Sequence, residues 1–145
     1  MVIGGLAALA HGSPIPTRDV DITPDTDPAN LARLSDALAE LGATVLFDDE
    51  ALPFSHDAES LAAAGVWNLR TDHGDLDISM VPRGTQGYGD LVRDATPTAI
   101  LEVVVPVASL ADIIRSKQAA NRPKDQRVLP VLREILASRF GERDR

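Results

Sequence analysis

Two short segments of this chain alternate aspartate with branched apolar residues. The first is Asp19-Val20-Asp21-Ile22 and the second is Asp75-Leu76-Asp77-Ile78. Side chains in a strand alternate between its two faces, so each segment predicts a strand with one apolar face and one carboxylate face. A buried carboxylate needs a partner, water or a metal ion, because an unpaired charge is costly to bury. The two segments therefore constrain the fold and the function together.

The segment GGLAALAHG, at residues 4–12, comes before the first of these strands. The small apolar residues after its two glycines predict a short helix that ends at Gly12. A turn then leads into a strand over residues 18–23, in which Val20 and Ile22 are expected to face the core.

Asp19 and Asp21 form a candidate metal-binding pair, because their Cα atoms are expected roughly 6.5–7 Å apart on one face of the strand. Carboxylate oxygens are the ligands that Mg²⁺ prefers, and Mg²⁺ also binds substrate phosphates. Asp77 adds a third carboxylate if the two strands are neighbours. The alternative is that both strands expose a solvated acidic face. Two such strands with a glycine turn upstream favour a site for one or two Mg²⁺ ions.

The alternation of expected strands and helices along the chain predicts one mixed α/β (α+β) domain over residues 1–145, with a C-terminal helical pair at 109–139. The chain has 145 residues and 44% hydrophobic content, enough for one core. It has no cysteine, which excludes a disulfide framework and a thiolate metal site. We find no bilayer-length apolar run and no secretory leader, and expect a cytoplasmic protein that does not use a membrane.

Charge is unevenly distributed within a net charge of −8. Residues 19–59 contain eleven acidic residues and one basic residue, whereas residues 109–127 contain five basic and two acidic residues. An acidic protein of this kind is not expected to coat nucleic acid nonspecifically. The asymmetry suits a small anionic substrate that a divalent metal bridges to the acidic half.

Other patterns predict an acidic loop at 48–57, a strand at 101–107 and a flexible surface lid at 84–89. Pro130 is expected to kink the last helix or to delay its start.

The two glycines, the later T-R-D-V-D-I and the L-D-I strand together resemble the nucleotidyltransferase fold of the DNA polymerase β superfamily. The segment SKQAANRPKD at residues 116–125 resembles the K-x-A-x-x-R-x-K-D segment of a bacterial branch of that superfamily, the abortive-infection toxins of the AbiEii or MenT-like type. The resemblance covers nearly the whole chain and implies a central mixed β-sheet with flanking helices.

The resemblance implies that Asp19 and Asp21 bind the metal and that Asp77 aligns or deprotonates an attacking hydroxyl. It implies that Gly4 and Gly5 let the backbone approach the nucleotide phosphates. Many relatives carry a serine at the position of Gly5.

The same resemblance implies that Lys117 contacts a triphosphate and that Asp125 orients Lys117 or the substrate. The implied activity is Mg²⁺-dependent transfer of a nucleoside monophosphate from a nucleoside triphosphate, with release of pyrophosphate. The acceptor is left open between an RNA end, such as that of a tRNA, and a protein hydroxyl. The alternative function is a non-catalytic module that binds a cognate toxin or antitoxin protein.

The chain begins inside the first expected strand, so the helix that usually precedes it in the family is expected to be missing. The apolar surface left uncovered predicts a homodimer or a reduced stability.

Overall fold

A computed structural model describes residues 1–143, so the last two residues of the predicted 1–145 domain lie outside the described part of the chain. Eight strands form one mixed sheet. In chain order they are β1 (Val2–Ile3), β2 (Val20–Ile22), β3 (Thr44–Phe47), β4 (Glu50–Leu52), β5 (Val66–Thr71), β6 (Gly74–Ser79), β7 (Thr96–Ile100) and β8 (Val103–Val107).

Six α-helices accompany the sheet within residues 1–143. They are α1 (Gly4–Ala10), α2 (Pro28–Glu40), α3 (Ala58–Ala62), α4 (Tyr88–Leu91), α5 (Leu110–Ala120) and α6 (Pro123–Arg143), and a 3₁₀ turn at Val92–Asp94 follows α4. The mixed α/β class and the mixed sheet predicted from the sequence are confirmed.

The strand order across the sheet is β4-β3-β5-β6-β2-β1-β8-β7. The pairs β2–β6 and β1–β8 are parallel, and the other neighbours are antiparallel. This order makes the two aspartate-bearing strands, β2 and β6, direct neighbours near the centre of the sheet.

Two apolar clusters support the two halves of the sheet. One lies at β1 and β8 beneath α1, α5 and α6, and includes the fully buried Val107 and Leu132. The other lies at β5 and β6 beneath α2 and α3, and includes the fully buried Leu38, Leu69 and Ile78. Burial of each such side chain contributes about 1.5–3 kcal/mol relative to exposure.

A cap residue and a proline mark the start of helix α2. Pro28 occupies its first turn, and the Asp27 carboxylate accepts a hydrogen bond of 3.1 Å from the Ala29 backbone N–H. The Ser109 hydroxyl likewise accepts from the Asp112 N–H at 3.1 Å and caps α5. Each cap contributes about 1 kcal/mol.

Four local predictions differ wholly or in part from the structure. Strand β4 lies within the predicted acidic loop at 48–57, and the strand predicted at 101–107 begins only at Val103 and pairs with β7. Helix α6 begins at Pro123 and continues through the exposed Pro130, so this proline does not delay it. Val20 remains 39% exposed instead of facing the core.

The segment predicted as a flexible lid is anchored to the fold. The Thr85 hydroxyl donates to the Pro82 carbonyl at 2.7 Å, and Asp90 accepts from the Gln86 N–H at 2.9 Å. Asp90 also accepts from the Arg115 side chain of α5 at 3.0 Å. These contacts connect the segment to its flanking residues and, through Asp90, to α5.

Candidate active site

Three carboxylates predicted as metal ligands lie together at the centre of the sheet. Asp21 on β2 is directly opposite Asp77 on β6, and Asp19 immediately precedes β2. Residues opposite each other in a sheet project from the same face, and residues two apart in a strand do so as well. All three side chains are half-buried and line one cleft.

The electrostatics of the cleft reflect this crowding. Burial raises the pKa of Asp21, and the neighbouring charge of Asp19 raises it further; Lys124 and the Gly5 N–H oppose the rise. Burial likewise raises the pKa of Asp77, followed by the charges of Asp21 and Asp19. Both carboxyls are therefore harder to ionise than usual, because their charges are partly desolvated and mutually repulsive.

A cleft of about 670 Å³ contains most of the sequence-predicted site. Its lining residues include Gly4, Gly5, Asp19, Asp21, Asp77 and Lys117. A volume of this size is typical of small-molecule sites. Asp125 is the one predicted site residue that does not line the cleft; it lies fully buried behind Lys117.

Gly4 is required where β1 turns into α1. Its φ is +63°, a conformation that other residues rarely adopt. A Cβ at this position would also collide with the Asp21 carboxylate. Only a residue without a side chain lets the backbone come this close to the Asp21 carboxylate.

Gly5 is packed against a hydroxyl. A Cβ at Gly5 would lie 2.7 Å from the Thr17 Oγ1 atom, closer than van der Waals contact allows. Thr17 therefore occupies the space that a serine at position 5 would need. Its hydroxyl makes only a long hydrogen bond of 3.3 Å, to the Asp19 carbonyl.

The basic wall of the cleft is organised by Asp125. The Asp125 carboxylate accepts from the Arg122 Nε at 2.7 Å and from the Arg122 backbone N–H at 3.1 Å, and lies 3.5 Å from the Lys117 Nζ. Burial alone would raise the pKa of Asp125, but hydrogen bonds from Arg122 and the charges of Arg122 and Lys117 lower it below its ordinary value. Asp125 thus remains ionised and fixes both cations.

Sequence reasoning assigned no role to several residues of the cleft. Lys124 lies near enough to lower the pKa of both Asp21 and Asp77. The pKa of Arg122 is raised mainly by its hydrogen bond to Asp125, and the charge of Asp21 raises it further. Arg122 and Lys124 belong to the motif at 116–125, which was the available signal. Thr17 and Asn68 also line the cleft, and only the folded chain brings them there.

The side chains present are suited to magnesium, although no group of three or more metal-ligating side chains within residues 1–143 is already gathered in a metal-binding arrangement. The donors are hard carboxylate oxygens, which match Mg²⁺ better than softer transition metals. A cation near Asp21 and Asp77 would offset the cost of burying two ionised carboxylates and would relieve their mutual repulsion. The chemistry of these donors is therefore compatible with Mg²⁺.

No protein-family model matches the chain, and no curated protein is significantly similar to it in sequence. Within the described residues, no helix is both long enough and apolar enough to cross a membrane.

Proposed function

We propose that the chain has the nucleotidyltransferase fold and catalyses Mg²⁺-dependent transfer of a nucleoside monophosphate from a nucleoside triphosphate to a hydroxyl, releasing pyrophosphate. The observation that carries this proposal is the position of Asp21 opposite Asp77, in a cleft that also contains Lys117 and Lys124. A polyphosphate with divalent cations is complementary to carboxylates on one side and ammonium groups on the other.

Different residues of the cleft bind the metal and the phosphates in this proposal. Asp19, Asp21 and Asp77 would hold magnesium, which when bound neutralises charge on the reacting phosphate. Lys117 is fixed by Asp125 and offers a point charge to the remaining phosphates. Asp77 also aligns the attacking hydroxyl or accepts its proton.

The branch of the superfamily is proposed from the sequence motif at 116–125. Its resemblance to bacterial abortive-infection toxins supports a cytoplasmic toxin or antitoxin that works with a cognate partner. The buried Asp125, which contacts both Lys117 and Arg122, supports a structural role for the spacing of this motif.

Transfer of α-phosphate label from each ribonucleoside triphosphate to total RNA and to total protein tests the proposed activity. We expect label and pyrophosphate in equal amounts, dependent on Mg²⁺ and abolished by Asp19→Asn. The exposed Asp36→Asn on α2 is the matched control and should retain activity. If the wild-type chain releases no pyrophosphate under any of these conditions, the proposed activity is wrong.

A non-catalytic, protein-binding module is the second candidate. It is favoured by the apolar hairpin β7–β8, in which Leu101, Val103 and Val104 are 95%, 62% and 67% exposed. Monomeric proteins rarely expose clustered apolar residues without a binding role. Folded wild-type protein that binds no nucleotide in the presence of Mg²⁺ would favour this candidate.

A further inference from the structure

The segment that leads into β2 brings a hydroxyl into the cleft beside two of the carboxylates. Thr17, Asp19 and Asp21 all line the cleft, and all three are half-buried. The residues between them, Arg18 and Val20, are exposed. Alternate residues therefore face the cleft, as in an extended segment, and Thr17 lies on the same side of the chain as the two carboxylates.

The turn from β1 to α1 packs against both kinds of side chain. A Cβ at Gly4 would collide with the Asp21 carboxylate, and a Cβ at Gly5 would lie 2.7 Å from the Thr17 Oγ1 atom. Two successive residues of one turn thus contact the carboxylate and the hydroxyl. Strand β1 neighbours β2 on the side away from β6, so the Thr17 hydroxyl lies towards β1, whereas Asp77 lies on β6.

The Thr17 hydroxyl is held loosely. Within residues 1–143 its one hydrogen bond is to the Asp19 carbonyl at 3.3 Å, whereas such bonds are usually about 2.7–2.8 Å long. Thr85, another threonine of the cleft, instead donates to the Pro82 carbonyl at 2.7 Å. The hydroxyl hydrogen of Thr17 can therefore move to a stronger acceptor at little cost.

A phosphate oxygen is a stronger acceptor of this kind. The ionised carboxylates of the cleft accept hydrogen bonds and cannot donate one to a phosphate. A lysine or arginine beside them would pair with them and compete with a bound cation, whereas a neutral hydroxyl supplies a donor without that competition. A hydrogen bond to an ionised group is about twice as strong as one between neutral groups.

We propose that Thr17 binds the nucleoside triphosphate: its hydroxyl hydrogen rotates from the Asp19 carbonyl to a phosphate oxygen, on the β1 side of the carboxylates. This inference rests on the proposed nucleotide site and adds a phosphate contact from the opposite wall to that of Lys117. The branched Cβ of Thr17 and its packing against Gly5 restrict rotation of the side chain. The donor is therefore in place before the nucleotide binds.

Calorimetric titration of Thr17 variants tests this contact with two Mg²⁺-bound probes. They are inorganic tripolyphosphate and whichever of the four ribonucleoside triphosphates the wild type binds most tightly. Thr17→Val removes the hydroxyl, keeps the shape and should weaken binding of both probes about tenfold. Thr17→Ser keeps the hydroxyl and should remain within about twofold of the wild type. Both variants should retain the Mg²⁺ dependence of binding, because the carboxylates are unchanged.

Thr98→Val on β7 is the matched control. Thr98 is also half-buried, and its hydroxyl donates to a carbonyl two residues away, that of Thr96, at 3.1 Å. It is not among the residues that line the cleft, so its loss should leave both affinities unchanged within about twofold. Thermal melts verify that each variant is folded, and Thr17→Ala, which also removes the hydroxyl, replaces Thr17→Val if the valine variant is not.

Three outcomes overturn the inference and leave the nucleotide site in place. The first is binding by the folded hydroxyl-free variant that equals wild-type binding. The second is a loss in Thr17→Ser as large as that in Thr17→Val, because packing and not the hydroxyl would explain it. The third is a loss confined to the nucleoside triphosphate, or a wild type that does not bind tripolyphosphate, because the contact would not be to phosphate. Failure of the folded wild type to bind any Mg²⁺-bound nucleoside triphosphate overturns the proposed function, and the inference with it.

Discussion

Asp21 and Asp77 lie directly opposite each other on the parallel strands β2 and β6. Burial raises the pKa of both carboxyls and so makes each harder to ionise. The charge of Asp21 makes ionisation of Asp77 harder still. Repulsive pairs of this kind reduce stability unless a cation joins them. Under the proposed function, a bound cation would offset this cost.

Removal of one charge should stabilise the metal-free protein. We expect Asp77→Asn to increase the free energy of unfolding at neutral pH by about 0.5–1 kcal/mol, because a partly solvated repulsion is relieved. Added Mg²⁺ should stabilise the wild type more than the variant. Thermal melts with and without Mg²⁺ check both effects, with Asp36→Asn as the control. A metal-free variant that melts below the wild type contradicts the account.

The sequence predicted the carboxylate site because strand periodicity alone puts Asp19 and Asp21 on one face. It predicted a loop at 48–57, where Asp48 and Asp49 do form a turn, with φ of 48° and 65°, but it missed strand β4, because three residues are too few to show a strand period. The hairpin β7–β8 was also missed. Its turn contains Leu101, at φ 55°, an apolar residue that does not suggest a turn.

Contacts between distant segments also could not be predicted from the sequence. The collision between a Gly5 Cβ and Thr17 depends on how the loop after α1 folds back, and local sequence does not specify that path. Asn121 ends α5 in the left-handed conformation and so directs Arg122 and Lys124. The motif at 116–125 drew attention to Arg122 and Lys124, but their positions in the cleft depend on the turn at Asn121.

Gly4 and Gly12 form a matched pair for testing the close approach at Asp21. Both have positive φ, +63° and +99°, but a Cβ at Gly12 meets no atom within 4 Å. Alanine at Gly12 should cost about 1 kcal/mol of stability, and alanine at Gly4 should cost more, because its Cβ also collides with Asp21. Only Gly4→Ala should also displace Asp21 and abolish Mg²⁺-dependent nucleotide binding. Thermal melts and calorimetry measure the two effects, and equal nucleotide binding by both variants would refute a special role for Gly4.

Lys117 and Arg115 should differ in their effect on nucleotide binding. Lys117→Ala should weaken nucleotide binding about tenfold or more, because it removes a charged contact from the cleft wall. Arg115 is paired with Asp90 at 3.0 Å and with Asp112 at 2.8 Å, so Arg115→Ala should lower stability and leave affinity nearly unchanged. Calorimetric titration of both variants provides the comparison. Similar losses of nucleotide affinity in the two variants would mean that the basic residues attract the nucleotide only through their combined positive charge.

Asp125 should make stability depend on pH below its ordinary pKa of 3.8. Because its pKa is lowered in the folded state, its contribution is complete above that value and is lost as pH falls through the folded pKa. Asp125→Asn should therefore cost about 1.5–3 kcal/mol at pH 7 and much less near pH 2. Chemical denaturation across this range measures the difference, and a cost that does not change with pH contradicts the assigned ion pairs.

The most direct test of the central claim is calorimetric titration of nucleoside triphosphates into wild-type protein and into Asp21→Asn, each with Mg²⁺ and with a chelator. We expect the wild type to bind in Mg²⁺ and to bind at least about tenfold more weakly in chelator, and we expect the folded variant to lose this dependence on Mg²⁺. Equal binding by the wild type in Mg²⁺ and in chelator, or the same Mg²⁺ dependence in Asp21→Asn, would contradict it.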